Sequence, residues 1–241
     1  MLVWLASYPR SGNHLLRTIL ARSFDLGSYE AYQLIARPIG PAVSSAVGAL
    51  LFPDETLDAF LARARAASDL FLVKTHDLVP EGDRVIYVVR DGRAALASYR
   101  RYLAEVEDKR RSFRRLLSGK QWPGAWHAHV ERFLARDPAA TLVLRYEALA
   151  SAHPPLEAIA AFLDVPLLRP FDVTFRELNQ LDPKIFRAGS NAGGIETVER
   201  ACSARFWRTC GATMDGLGYP RPAQPAGLAS RLAGRLGWFL R

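Results

Sequence analysis

The sequence predicts an α/β fold, a central parallel sheet flanked by helices on both faces. Three observations lead there. Short apolar or β-branched runs bounded by turn residues recur along the chain, stretches of helical period separate them, and 241 residues suffice for a sizeable core. Strands separated by helices are joined by crossovers and therefore lie parallel. No internal repeat or low-complexity block interrupts the pattern.

The first strand is Leu2–Ala6. It breaks at Pro9, Ser11 and Gly12 and resumes as Leu15, Leu16, Ile19 and Leu20, the spacing of a helix over Leu15–Ser23. Residues 25–53 lack a clear period. Within them "ARPIGPAVSSAVGALLF" reads as a loop or as a lid over an apolar pocket. Helix Glu55–Ala67 leads to strand Leu70–Val73, and strand Arg84–Val89 leads through the N-cap candidate Asp91 to helix Ala94–Glu105. Helix Trp126–Ala135, strand Thr141–Leu144 and helices Leu156–Leu163 and Thr197–Leu217 complete a domain over residues 1–219. From Pro220, "PRPAQPAG" reads as a linker. The closing "LASRLAGRLGWFLR" sets Leu228, Leu232 and Leu236 on one side of an amphipathic helix that docks on its own domain, a membrane surface or a partner.

Lys and Arg number 32 against 24 Asp and Glu, a net charge of +8 that points to an anionic partner: a nucleotide, nucleic acid or anionic lipid. No apolar run reaches the roughly 18 residues of a membrane span. The first apolar run lacks the basic flank and cleavage pattern of a signal peptide, so the expected location is the cytoplasm. Cys202 and Cys210, eight apart on one predicted helix, stand about 12 Å apart by helical rise, beyond disulfide reach. No metal-ligand spacing occurs, so no metal is expected.

Three stretches carry chemistry. In "YPRSGNH" a strand ends in a turn containing Gly and Arg, and a helix follows. The open backbone N–H groups and the dipole of that helix favour an anion. It is not a Walker loop, because the Gly spacing and the Lys-Ser/Thr pair are missing. It suits one tetrahedral group, with Arg10, Ser11, Gly12 and Asn13 as donors; the plain alternative is an ordinary turn with an exposed Arg. "FLVKTHDLVP" puts Lys74, Thr75 and His76 at a strand end, where parallel sheets gather ligands and where a His can act as a general base. A histidine hydrogen-bonded in a turn is the alternative. "VVRDGRAALASY" puts Arg90 at a strand end and Ser98 on the next helix, able to converge on a second anion, while Arg93, Arg100 and Arg101 fit a solvated face.

"YPRSGNH", "VKTH", "VVRDGRAALASY" and "LRYEAL", in this order, resemble the sulfotransferases that use 3′-phosphoadenosine 5′-phosphosulfate (PAPS), closest to the cytosolic type and its bacterial relatives. The resemblance covers residues 2–24, 72–104, 122–149 and 155–219. It implies a P-loop-kinase-like fold, PAPS as sulfuryl donor, 3′-phosphoadenosine 5′-phosphate (PAP) as product, and no metal. It further implies that Arg10–His14 cradle the 5′-phosphosulfate, and that the catalytic residues are His76 as base, Lys74 beside the transferring group and Arg10 on the bridging oxygen. Arg90 and Ser98 would hold the 3′-phosphate and Tyr146 would approach the adenine. Arg187 and Gly189, in "FRAGSNAGG", would close on the 3′-phosphate, and Trp126 and His129 would serve packing.

Four positions depart from the family's pattern. His14 replaces a hydroxyl, Leu15 a stacking Trp, Ala188 a Lys and Ile195 a Trp. The implied reaction is sulfuryl transfer to a hydroxyl of a small acceptor, with an apolar or lipid-like body suggested by the stretch Ile35–Phe52. Two alternatives stand beside it: a non-catalytic PAP- or nucleotide-binding protein, and a kinase-like phosphotransferase. Nucleic acid is not the expected partner, because no aromatic RNA-binding platform is present. Oligomeric state, a homodimer included, stays open.

Overall fold

The structure, a computed structural model, describes residues 1–32, 40–187 and 189–222. Five strands form one sheet: β1 (Leu2–Ser7), β2 (Tyr29–Glu30), β3 (Phe71–Thr75), β4 (Arg84–Val89) and β5 (Thr141–Arg145). Every pairing is parallel and the order is β2-β3-β1-β4-β5. Ten helices appear among the described residues: α1 (Asn13–Phe24), α2 (Pro41–Ala46), α3 (Leu57–Ala66), α4 (Gly92–Glu105), α5 (Phe113–Leu117), α6 (Trp126–Leu134), α7 (Tyr146–Leu149), α8 (Leu156–Leu163), α9 (Phe175–Leu181) and α10 (Ala192–Gly216).

Strand periodicity sorts two cores. In β1, Leu2, Trp4 and Ala6 face one core while Val3 and Leu5 face the other; in β4, Val85, Tyr87 and Val89 oppose Ile86 and Val88. Both faces of β1 and β4 are buried, which accounts for their continuous apolar runs. Helices α3, α4, α6 and α10 supply buried side chains to the first core, and α1, α2, α8 and α9 to the second. The chain begins at the central β1, crosses to the edge strand β2, returns to β3 beside β1, then passes to β4 and β5 on the other side. The order thus reverses beside β1, and a ligand crevice is expected outside the strand ends there.

The predicted α/β class holds, with shifted boundaries. β3 runs to Thr75, so Lys74 lies within the strand, at position Leu5 of β1. Residues 40–53 are not a period-free loop. Pro41 opens α2, and Val43, Ala46 and Val47 are buried, Val43 and Val47 against the same core as α1. β2 is only two residues long, too short to leave a period-2 signal. Arg93 is not on a solvated face: it is buried and ion-paired to Asp91 at 2.7 Å and Glu199 at 2.9 Å. Asp91 does cap α4, accepting from the Arg93 amide at 2.9 Å. Both cysteines are free, and α10 is kinked at Cys202. The lid candidate's residues 33–39, Ala188 and the tail from 223 lie outside the described residues. Among the described residues no helix is long and apolar enough to cross a membrane.

Candidate functional site

The carboxyl ends of the strands surround a cavity of about 720 Å³. Its wall includes Arg10, Gly12, Asn13 and His14 from the turn after β1. Lys74 and His76 come from the end of β3, Arg90 and Ser98 from β4 and α4, Tyr146 from the end of β5, and Arg187 and Gly189 from the segment before α10. Every site residue expected from sequence lines this one cavity except Ser11. Ser11 is buried in the turn behind it, and its hydroxyl has no partner.

The turn is held open for a ligand by two devices. Gly12 adopts φ +109°, and a Cβ there would stand 2.5 Å from Cδ2 of Tyr146, so only glycine admits both the backbone and the ring. The Asn13 side chain ties α1 back to β1 by donating to the Leu5 carbonyl at 2.8 Å. No side chain caps the N-terminus of α1. The Ser11 hydroxyl and His14 Nε2 are buried and unpartnered, and both can donate to a ligand rich in oxygen; Asn13 Oδ1, also buried and unpartnered, can only accept.

The cationic groups show a matching deficit of negative charge. Arg90 donates to Asn191 Oδ1 at 2.7 Å, to the Arg10 carbonyl at 3.0 Å and to the Ser190 carbonyl at 3.3 Å, with its guanidinium 4.1 Å over the Tyr146 ring. Arg10, at φ +66°, donates to Ser98 Oγ at 3.3 Å and to the carbonyls of Lys184 and Ile185. Neither guanidinium has a carboxylate partner among the described residues. Burial lowers both, and the neighbouring Arg90 helps bring Arg10 to about 10. The two anion clamps read separately from sequence are thus joined. The Arg10 side chain reaches toward Ser98, and the Arg10 backbone braces Arg90. Arg187 is paired with Glu105 at 2.8 Å.

His76 is held as a neutral imidazole. Its Nδ1 donates to the Ser7 carbonyl at 2.8 Å, which leaves Nε2 with the lone pair. Burial and the adjacent Lys74 charge hold the imidazole well below the ordinary histidine range, so it is unprotonated at neutral pH. His129 Nε2 donates to the His76 carbonyl at 2.9 Å, and its Nδ1 accepts from the Tyr87 hydroxyl at 2.9 Å. The packing role expected for His129 therefore includes supporting the backbone of His76, while Trp126 packs against Gly92.

Four residues of the candidate site escaped sequence reasoning. Glu30, on β2, ion-pairs both Lys74 and Arg17 and lines the cavity. Asn191 links Arg90 to Glu147, which also accepts from the Asp91 amide and the Tyr219 hydroxyl. Tyr32 and Trp122 flank the His76 ring, with centroids at 6.3 and 5.8 Å, and both donate to Asp77. None of these left a usable signal: Glu30 lies on a two-residue strand, Tyr32 follows just after it, and Asn191 and Trp122 sit in loops. From the apolar stretch 40–52 no residue lines the cavity, so that stretch gives no support to an apolar acceptor. Among the described residues, no group of three His, Cys, Asp or Glu side chains is placed to hold a metal ion.

Comparison with known proteins agrees with this architecture. A family model described as Sulfotransferase domain matches residues 2–181. Mouse sulfotransferase SULT7A1 complexed with PAP superposes with a TM-score of 0.57 at 16% identity, covering 89% of this chain and 88% of that one. Retinol dehydratase in a complex with retinol and PAP gives a TM-score of 0.58 at 16% identity, covering 92% and 83%. At these identities the likeness establishes the fold. No curated protein matches the chain.

Proposed function

This chain belongs to the sulfotransferase domain family, and from that premise we propose that it transfers the sulfuryl group of PAPS to a hydroxyl of a small-molecule acceptor. One observation carries the choice of donor: two half-buried guanidiniums, Arg10 and Arg90, without carboxylate partners among the described residues, line the same cavity as the neutral imidazole of His76. A donor with phosphate groups at two places supplies the missing negative charge. The PAP bound in solved proteins of this fold supports the same reading.

In this assignment the turn amides and the unpartnered Ser11 hydroxyl hold the 5′-phosphosulfate. His14, standing where the family has a hydroxyl, offers its unpartnered Nε2. Arg90 and Ser98 hold the 3′-phosphate, Tyr146 packs at the adenine, and the segment with Arg187 and Gly189 closes over the donor. PAPS supplies an activated sulfuryl group. His76 Nε2 takes the proton of the acceptor hydroxyl as the acceptor O–S bond forms and the S–O bond to the 5′-phosphate breaks. Lys74 and the turn amides oppose the charge that grows on the departing phosphate oxygen. The acceptor is a small hydroxyl compound whose body packs against Tyr32, Tyr99, Tyr102 and Trp122.

Isothermal titration with PAP and turnover with PAPS and an acceptor library test the assignment. Wild-type protein should bind PAP and produce a sulfated acceptor. His76→Ala should retain PAP binding while turnover falls about 10²–10⁴-fold. Arg90→Ala should weaken PAPS much more than adenosine 5′-phosphosulfate, which lacks the 3′-phosphate. Equal losses for both donors would remove Arg90 from the 3′-phosphate, and unchanged turnover in His76→Ala would remove the base.

A further inference from the structure

The positive charge of this chain is concentrated beside the cavity mouth. From Arg100 to Lys120 stand eight basic and three acidic residues, a surplus of five within a total of +8. Two of those acids are already neutralised, Glu105 by Arg187 and Glu107 by Lys109. Arg101, Arg110, Arg114, Arg115 and Lys120 are exposed, and none has a carboxylate partner among the described residues. A solvated face of an ordinary protein holds the two signs in closer balance than eight to three.

The cluster is continuous with the rim of the cavity. Arg101 lines it directly, α5 packs on α4, and Arg111 donates to Gln121, next to Trp122. Trp122 also lines the cavity, is 46% exposed, and is tied through its indole N–H to Asp77. The next residue, Leu78, is 52% exposed. An amphipathic ring and an aliphatic side chain beside unpaired cations match the surface of an anionic bilayer, where cations meet headgroups and apolar groups enter the interface. A polyanionic chain uses the cations but not Leu78, which can neither stack on a base nor bond a phosphate.

We propose that this face, from Arg101 through α5 to Trp122 and Leu78, docks the protein on an anionic lipid membrane with the cavity mouth toward the headgroups. The docking does not rest on the sulfuryl-transfer reading, and it is measured without donor or acceptor. The test is sedimentation of the full chain with phosphatidylcholine vesicles, with and without phosphatidylglycerol. The chain should partition onto the anionic vesicles, ignore the neutral ones, and detach as salt is raised. Each basic residue near such a surface contributes about fivefold to binding, so Arg110→Glu/Arg114→Glu/Arg115→Glu should lose more than about tenfold while its melting temperature stays that of wild type. If that triple variant fails to fold, the corresponding Gln substitutions serve instead. Leu78→Asn should weaken binding by a smaller factor. Wild-type partition by the charge variants would place attachment elsewhere, in the C-terminal segment for example, and overturn the proposal. So would failure of wild-type protein to bind anionic vesicles, an unaffected Leu78→Asn, or tighter binding to heparin or RNA than to the vesicles.

Discussion

Glu30 governs what Lys74 can do. Lys74 is buried, which lowers its ammonium below the ordinary lysine range, while the carboxylate of Glu30 opposes that fall. Arg17, also buried, leans on the same carboxylate and on Ser28. Glu30→Gln would leave two buried cations without a counter-charge, and breaking such a pair costs up to about 3–5 kcal/mol. Urea denaturation should therefore show a marked loss of stability. The basic limb of the turnover profile should also move to lower pH, because Lys74 would lose its proton sooner. A variant as stable as wild type, with an unmoved basic limb, would assign the holding of Lys74 to some other group.

At the scale of elements, the segment before α10, proposed to close over the donor, depends on how closely α10 approaches α4. A Cβ on Gly194 would lie 2.9 Å from the Cα of Ala94, a backbone atom that cannot give way, whereas one on Gly193 meets nothing within 4 Å. Alanine favours a helix over glycine by about 1 kcal/mol, so the sign is decided by space. Gly193→Ala should be neutral or slightly stabilising. Gly194→Ala should cost about 1–3 kcal/mol and weaken PAP, because Asn191, at the start of α10, orients Arg90. Thermal melts and PAP titrations on the pair would check this. Equal behaviour of the two variants would mean that α10 can shift without cost.

Across the whole molecule, buried neutral histidines and ion-paired carboxylates set the response to acid. His14, His76 and His129 are all held below the ordinary range by burial, His129 at about 4. Below about pH 6.5 the unfolded chain binds protons at these positions that the folded chain refuses, so lowering pH favours unfolding. For His129 alone the loss between about 6.5 and 4 is on the order of 3 kcal/mol. Glu30, Asp83 and Glu199, lowered against burial by their Lys, Arg, Ser and Trp partners, act in the same direction. Their contribution is full above the ordinary carboxylate range and is lost as pH falls through it. The melting temperature should therefore fall steadily from neutral pH to pH 4 (about the His129 value). A flat profile over that interval would mean that these histidines take up protons in the folded chain.

Local pattern was enough to place the four longer strands, most helices, and the turn, strand end and helix start that face one another, because apolar period and turn residues are properties of neighbours along the chain. It was also enough to nominate Arg10–Asn13, Lys74, His76, Arg90 and Ser98, while His14, Tyr146, Arg187 and Gly189 came from the resemblance to the sulfotransferases. All of these line one cavity except Ser11, buried just behind it. Tertiary structure alone decided their partners. Glu30 reaches Lys74 across 44 positions, Asn191 reaches Arg90 across 101, and the Ser7 carbonyl selects the His76 tautomer across 69. Such pairings depend on strand order and on which groups share burial, and neither quantity is carried by any short stretch of chain.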